Sequence, residues 1–203
     1  MELTKQKKGF RTIDLTLGAL FVGLMAIGAN IVVWLPFLKV TFAGATVEIT
    51  LQTFFATLAG LMLGKRLGAF SMIVYALVGI IGVPVFAGMQ AGVAQLVTPT
   101  GGFILSFIFV AWVSGWILEK RNSSTFATYV TASFGGLFCN YMIGTTYMYF
   151  ALNLWIGGSI SYTTAWAMML PFLIKDIGLT FLVATLARVL VKRVQFSIKP
   201  FTA

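Results

Sequence analysis

Charged residues are scarce in this chain: they make up 9% of its 203 residues, whereas 59% are hydrophobic. In a soluble domain about a quarter of the residues are usually charged. Histidine is absent, which removes the commonest metal ligand and a common general base. The single cysteine, Cys139, excludes a disulfide within the chain. The composition predicts a polytopic membrane protein, with residues 1–203 forming one domain.

The motifs of several chemistries are missing as well. A serine–histidine–acid set cannot form without histidine, and no metal-ligand spacing occurs. The stretch from Gly60 to Arg66 is one residue short of a P-loop and lacks its final Ser or Thr. We therefore predict that the chain is not an enzyme and has no cofactor. A transporter that consumes energy would need its ATPase on another subunit.

Six apolar runs alternate with short polar segments. They cover approximately residues 13–36, 51–63, 67–81, 102–118, 126–150 and 162–191. At about 1.5 Å of rise per residue, a run of about 20 residues crosses a hydrocarbon core about 30 Å thick. The second run is short by this measure. The pattern predicts an all-α membrane protein with six transmembrane helices.

The positions of the basic residues predict the orientation of these helices. If the N-terminus is inside, 12 of the 14 basic residues fall on the cytoplasmic side, and the external loops hold only Lys39. The cytoplasmic residues are Lys5, Lys7, Lys8, Arg11, Lys65, Arg66, Lys120, Arg121, Arg188, Lys192, Arg193 and Lys199. By the positive-inside rule, both termini are cytoplasmic and the protein is multi-pass in the cell membrane. Topology accounts for the positive charge, so no nucleic-acid partner is needed.

One segment, residues 79–102, interrupts the apolar pattern with glycine and proline and carries no charge. Such dense punctuation does not continue a helix. In a membrane protein, non-helical backbone is tolerated where it is buried in protein or lines a cavity. The segment is therefore either an ordinary external turn or the floor of a binding site. Phe86, Gln90 and the pair Gly101–Gly102 favour a site.

The remaining basic residue, Lys175, lies beside Asp176 inside the sixth run. Asp176 is twelve residues before Arg188, or about 18 Å of helix, which places it in the outer half of the membrane. A charge at that depth costs roughly 2.5–3.5 kcal/mol and indicates a functional site. A structural ion pair is the alternative. However, sequence neighbours on a helix do not face each other, so at least one of the two needs a further partner.

Ala19 and Gly23 in the first run are four residues apart, so they share one helix face. Small residues at this spacing allow two helices to approach closely. The helix that packs on this face could belong to this chain or to a partner protein.

Several blocks of the sequence resemble the BioY family, the biotin-binding S components of energy-coupling factor (ECF) transporters. They are residues 50–53, 58–68, Tyr75, Gly79, 82–88 and 99–102. The resemblance implies six helices and a biotin pocket near the outer surface. It also implies a transmembrane T component and a pair of cytoplasmic ATPases as partners, beside membrane lipid. Ala19 and Gly23 resemble the small-residue motif with which such proteins contact the T component.

The resemblance also assigns site residues. Gln90 occupies the position of an asparagine that faces biotin in the family, and Asp176 matches the family's acidic residue. The lysine expected three residues after that acid is Leu179 here, while Lys175 replaces a glycine. Because positions 175 and 179 lie one turn apart on one helix face, Lys175 could serve the same pocket.

The chemistry of biotin fits these residues. Asp176 can accept a hydrogen bond from a ureido N–H, Gln90 can donate or accept, and Phe86 can cover the apolar part. Lys175, or the backbone N–H groups near Gly101 and Gly102, could meet the ligand carboxylate. Gly88 and Tyr147 complete the set of candidate site residues. An S component for another vitamin, a stand-alone secondary transporter and a membrane-embedded enzyme are the competing interpretations.

Overall fold

Helices form most of the chain, because a segment in lipid must satisfy its backbone hydrogen bonds internally. The computed structural model describes residues 11–35, 39–42, 45–121 and 125–194. Its helices are α1 (Thr12–Ala29), α2 (Ile31–Trp34), α3 (Gln52–Ile80), α4 (Gly101–Arg121), α5 (Phe126–Leu154) and α6 (Tyr162–Val194). Four residues used above to predict the orientation lie outside the described residues: Lys5, Lys7, Lys8 and Lys199.

The structure adds a short β-hairpin to the predicted helical class. Strands β1 (Lys39–Phe42) and β2 (Ala45–Glu48) pair antiparallel between α2 and α3. The first apolar run is also less regular than predicted, because α1 ends at Ala29 and only the four-residue α2 follows. Asn30 ends α1 with φ −103° and ψ 14°, and its side-chain amide donates to the carbonyl of Ala26 at 3.0 Å.

Helix α3 consists of two segments that fold back on each other. Gly64 has φ 80° and ψ 172°, which no helical residue adopts. A Cβ atom placed on Gly68 would lie 3.0 Å from the carbonyl oxygen of Ala59 and from Cα of Gly60. In a continuous helix those residues would be about 12 Å apart. Residues 52–63 and 65–80 are therefore antiparallel, and they coincide with the second and third predicted runs.

The helices pack around α3 and α4. Helix α4 lies against α3 and α5, α6 contacts both α5 and α3, and α1 packs on α3. Small residues allow the closest crossings: a Cβ on Gly60 would collide with the backbone of Ala111, and one on Gly115 with the backbone of Lys65. We call the end of the bundle that carries residues 30, 52, 80, 101, 154 and 162 the loop end.

The surface of the bundle is apolar, as expected for a protein in lipid. Large hydrophobic side chains that are more than half exposed include Leu20, Leu77, Phe138, Ile174 and Leu182. Within the part of the chain that the structure describes, four helices are long and apolar enough to cross a membrane, spanning Thr12–Ala29, Gln52–Ile80, Gly101–Arg121 and Tyr162–Arg193. This set omits α5, which has 29 residues but intersperses hydroxyl and amide side chains among its apolar ones.

Candidate functional site

Asp176 is buried among three helices, with 4% of its surface exposed. Its Oδ2 accepts a hydrogen bond from the Tyr141 hydroxyl of α5 at 2.8 Å. The Thr53 hydroxyl in the first turn of α3 donates to the same oxygen at 3.5 Å, the long limit for a hydrogen bond. Since Thr53 lies at the loop end, Asp176 lies toward that end of the bundle.

Lys175 reaches Asp176 even though the two are sequence neighbours. Its Nζ lies 2.8 Å from Oδ1 of Asp176 and donates to the carbonyl of Thr50, also at 2.8 Å. The flexible four-carbon stem of lysine allows this return. The contact with Oδ1 has ion-pair distance but not hydrogen-bond geometry, so Oδ1 accepts no hydrogen bond from the described residues. Each of the two charged residues finds a further partner, as the sequence predicts.

A second layer of polar side chains supports this group. Asn140, 2% exposed, donates from Nδ2 to the Thr53 hydroxyl oxygen at 3.3 Å. The fully buried Ser106 of α4 donates to Oδ1 of Asn140 at 2.6 Å. Side chains from α3, α4, α5 and α6 thus converge on one carboxylate. We call Ser106, Asn140, Thr53, Tyr141 and Asp176 the carboxylate network.

A narrow crevice lies beside the carboxylate, with no room for a water-sized molecule in this conformation. It is lined by Thr53, Phe54, Thr57, Asp176, Leu179, Thr180 and Val183. Typical ligand pockets measure roughly 300–1,000 Å³, so the crevice is closed to a small ligand in this conformation. Leu179, where the family resemblance leads us to expect a lysine, therefore faces the same space as Asp176, while Lys175 extends toward Thr50.

Phe86, Gly88 and Gln90 lie together in the connection between α3 and α4. Phe86 is 2% exposed and packs edge-to-face on Tyr75, with 5.7 Å between ring centroids. Gln90 is exposed: its amide donates to the carbonyl of Gly88 at 3.4 Å and accepts from Gln95 at 3.3 Å. None of the three contacts Asp176 among the described hydrogen bonds and ion pairs.

Two buried amides tether this connection to the helices. Gln52 donates to the Tyr75 hydroxyl at 2.8 Å, and that hydroxyl donates to the carbonyl of Val85 at 2.9 Å. Asn30, at the end of α1, accepts the backbone N–H of Met89 at 2.6 Å. Met89 has φ 60°, the one positive value at a described residue other than glycine. The tether therefore holds the chain where its backbone is strained.

Gly101, Gly102 and Tyr147 form a third group, at the start of α4. The Tyr147 hydroxyl donates to the carbonyl of Leu96, and a Cβ on Gly102 would collide with the Tyr147 side chain. The backbone N–H group of Gly101 donates to the carbonyl of Thr98, and that of Phe103 donates to the carbonyl of Thr100, at 3.0 Å each. Two of the donors expected to meet a ligand carboxylate are therefore used within the turn.

The three groups share the loop end and meet through neighbouring residues. Gln52 belongs to the tether and Thr53 to the carboxylate network. Phe103, next to Gly102, packs edge-to-face on Tyr141, with ring centroids 6.2 Å apart. Our sequence analysis gave no role to Asn30, Ser106, Asn140 or Tyr141. The adjacent polar pair at positions 140 and 141, inside an apolar run, is the pattern that could have identified two of them.

Ala19 and Gly23 lie on the exposed face of α1. No described atom comes within 4 Å of a Cβ built on Gly23. The opposite face, with Gly18, Phe21 and Met25, is the one that is buried. Packing against a helix of this chain, one of the two possibilities left by the sequence, is therefore wrong for the described residues. The small-residue face is open to a partner.

Comparison with known proteins gives consistent matches. The family model described as "BioY family" matches residues 4–196. The chain is 43% identical to the "Putative biotin transporter BioYB" of Bacillus subtilis (strain 168) over 90% of this chain and 89% of the relative. It is 36% identical to the "Biotin transporter BioY" of Thermotoga maritima, over 68% and 72% respectively. The fold resembles the crystal structure of the S-component for biotin from an ECF-type ABC transporter, with TM-score 0.76, 23% identity and 95% coverage of both chains.

Proposed function

Because this chain belongs to the BioY family, we propose that it binds biotin with high affinity and takes it up as the substrate-specific component of an ECF transporter. The relatives are named as transporters, so the protein is a multi-pass membrane transport protein and not an enzyme. The buried Asp176 carries the proposal, because a carboxylate whose Oδ1 accepts no hydrogen bond from the described residues and is paired only with Lys175 suits a ligand with N–H donors.

The proposed site comprises the three groups at the loop end. Asp176 and Lys175 provide the charged contacts to the ligand. Gln90 and Gly88 approach the ligand from the α3–α4 connection. Phe86 anchors that connection by packing on Tyr75. Gly101, Gly102 and Tyr147 close the side formed by α4 and α5. Since the crevice between α3 and α6 has no room for a water-sized molecule, binding requires these two helices to move apart.

Partner subunits supply the energy in this proposal. Six crossings with both termini cytoplasmic place the loop end outside, where biotin arrives. The open face of α1 with Ala19 and Gly23 is the docking surface for a T component, which carries two ATPases. This arrangement is supported by the distribution of basic residues and by the lack of a complete P-loop in this chain. The structural relative is the S-component of such a transporter.

Equilibrium binding of labelled biotin to the purified protein tests the proposal. Unlabelled biotin should compete and riboflavin or thiamine should not, with no ATP present. Asp176→Asn keeps the side-chain shape but removes the charge. It should therefore weaken binding by about 1.5–3 kcal/mol, or roughly ten- to more than a hundredfold in Kd.

Each failure has a distinct meaning. Equal competition by riboflavin or thiamine would indicate an S component for another vitamin. Uptake of biotin by proteoliposomes that contain only this chain would indicate a stand-alone secondary transporter. Tight biotin binding that Asp176→Asn leaves unchanged would separate the function, which would hold, from the assignment of the site, which would not.

A further inference from the structure

The two oxygens of the Asp176 carboxylate have unequal surroundings. Oδ2 accepts from Tyr141 at 2.8 Å and from Thr53 at 3.5 Å. Oδ1 is buried and accepts no hydrogen bond from the described residues, although the Lys175 ammonium lies 2.8 Å away. Each carboxylate oxygen can accept about two hydrogen bonds. The acceptor capacity of Oδ2 is therefore filled by the protein, while Oδ1 has the ion pair with Lys175 and room for one further donor.

The second layer fixes the direction of the donors. A threonine hydroxyl has one hydrogen to donate. Because Asn140 donates to the Thr53 oxygen at 3.3 Å, the hydrogen of Thr53 is left for Asp176. Ser106 also has one hydrogen, with the carbonyl of Phe103 at 2.8 Å and the amide oxygen of Asn140 at 2.6 Å as acceptors, and donation along the shorter contact orients Asn140. The amide oxygen therefore faces α4 and the amide nitrogen faces α3.

Packing fixes the other donor. The ring of Tyr141 is 3% exposed and meets Phe103 edge-to-face. Edge-to-face aromatic pairs contribute roughly 0.5–1.5 kcal/mol beyond their buried area. The contact therefore holds the ring of Tyr141, and with it the hydroxyl group, in a defined position. Both donors to Oδ2 are thus held by residues on other helices, and the carboxylate cannot rotate without losing them.

We propose that Thr53, Tyr141 and Asn140 are positioning residues: they hold Oδ2 of Asp176, so that Oδ1 alone receives an N–H donor of the ligand. This inference rests on the proposed function, in which that donor belongs to the ureido ring of biotin. Oriented this way, the carboxylate selects by hydrogen bonding. A site built around a required donor discriminates strongly against analogues that lack it, because its buried acceptor is then left unpaired.

The test compares biotin with an analogue methylated on a ureido nitrogen, which lacks one N–H donor. The quantity measured is the ratio of the two Kd values for the purified protein. Tyr141→Phe removes only the hydroxyl and keeps the packing with Phe103. The freed carboxylate should bind biotin about three- to thirtyfold more weakly, and the ratio should fall severalfold because the donor is no longer recognised as well. A purely structural role would weaken both ligands equally and leave the ratio unchanged.

Two matched pairs separate the network from general effects. Ser106 and Ser114 are both fully buried on α4, but the Ser114 hydroxyl has no hydrogen-bond partner among the described residues. Ser106→Ala should lower the ratio, whereas Ser114→Ala should not. Thr53→Val should lower it, and Thr53→Ser, which retains the hydroxyl, should keep it.

Three outcomes would overturn the inference. Equal ratios in the unmodified protein, Tyr141→Phe and Ser106→Ala would refute the network while leaving biotin binding intact. An equal fall in Ser106→Ala and Ser114→Ala would attribute the effect to packing. Absence of biotin binding by the folded, unmodified protein would overturn the proposed function and this inference with it.

Discussion

Lys175 and Asp176 are the residues that the sequence identifies most readily, because a charge inside an apolar run has a high cost and is rare. Their geometry depends on side-chain length. The lysine stem returns its ammonium to Oδ1 of Asp176 and to the carbonyl of Thr50. Leu179 lines the crevice beside the same carboxylate. A cation at position 175 therefore reaches the same carboxylate, but from one turn nearer the loop end than position 179.

The presence of a lysine at position 175, and not at position 179, leads to a prediction about Lys175. Lys175→Ala should weaken biotin binding severalfold, because the Asp176 carboxylate loses its nearby cation. Lys175→Ala combined with Leu179→Lys should recover part of that loss. Biotin methyl ester, which lacks the carboxylate, should be less affected if the lysine meets the tail. Unchanged affinity of Lys175→Ala for both ligands would show that Lys175 only anchors α6 to Thr50.

The supporting residues could not be found in the same way. Asn140 and Ser106 are uncharged, and such residues are common in membrane helices. What makes them part of the network is a contact between positions 34 residues apart, and no local pattern encodes that. Asn30 is similar, since its partner Met89 is a backbone group that the sequence does not mark. The charged centre was predictable; among its polar surroundings only the adjacent pair Asn140 and Tyr141 left a local signal, and their contacts left none.

Helix α1 presents two different faces. Gly18, Phe21 and Met25 are buried, while Ala19 and Gly23 are exposed with no neighbour at Gly23. The four-residue spacing predicts the shared face but not whether that face is covered within the chain. At the loop end, the carbonyl of Gly28 also accepts the N–H of Leu51 at 2.9 Å, so α1 contacts the start of α3 there.

Gly23→Leu should abolish or strongly impair transport and leave biotin binding unchanged. The added bulk would keep a partner helix from approaching α1, while no contact among the described residues is disturbed. Gly178→Leu is the matched control, because Gly178 is also an exposed helical glycine with no atom within 4 Å of its Cβ position. The measurement is ATP-dependent uptake with the partner subunits present. Normal uptake by Gly23→Leu would exclude this face as the docking surface.

At the scale of the whole molecule, apolar runs and basic residues predict most of the architecture. The helical class, the reversal within α3 and the placement of Asp176 agree with the sequence. The β-hairpin and the early end of α1 do not, because Asn30 and the segment that follows form local hydrogen bonds that hydrophobicity does not report. Hydrophobicity therefore predicts which segments lie in lipid better than it predicts the backbone conformation of each segment.

The predicted orientation can be tested with cysteines at the two ends of α5. In a Cys139→Ser background, Ser159→Cys should react with a membrane-impermeant maleimide in intact cells. Thr125→Cys should react only after the membrane is opened, because the positive-inside rule places that end in the cytoplasm. Both positions are exposed, so access to reagent is limited by the membrane alone. Labelling of Thr125→Cys in intact cells would reverse the topology.

The reversal at Gly64 bears on how the protein enters the bilayer. The segment 52–63 is only about 18 Å long, too short to cross a hydrocarbon core of about 30 Å by itself. With a single residue between the two segments, neither can be released into lipid separately. We therefore expect the pair to insert as one helical hairpin, with Lys65 and Arg66 remaining at the headgroups. A fragment that begins after α1 and ends near residue 64 should accordingly stay extractable from membranes by alkali, whereas one that continues past residue 80 should not.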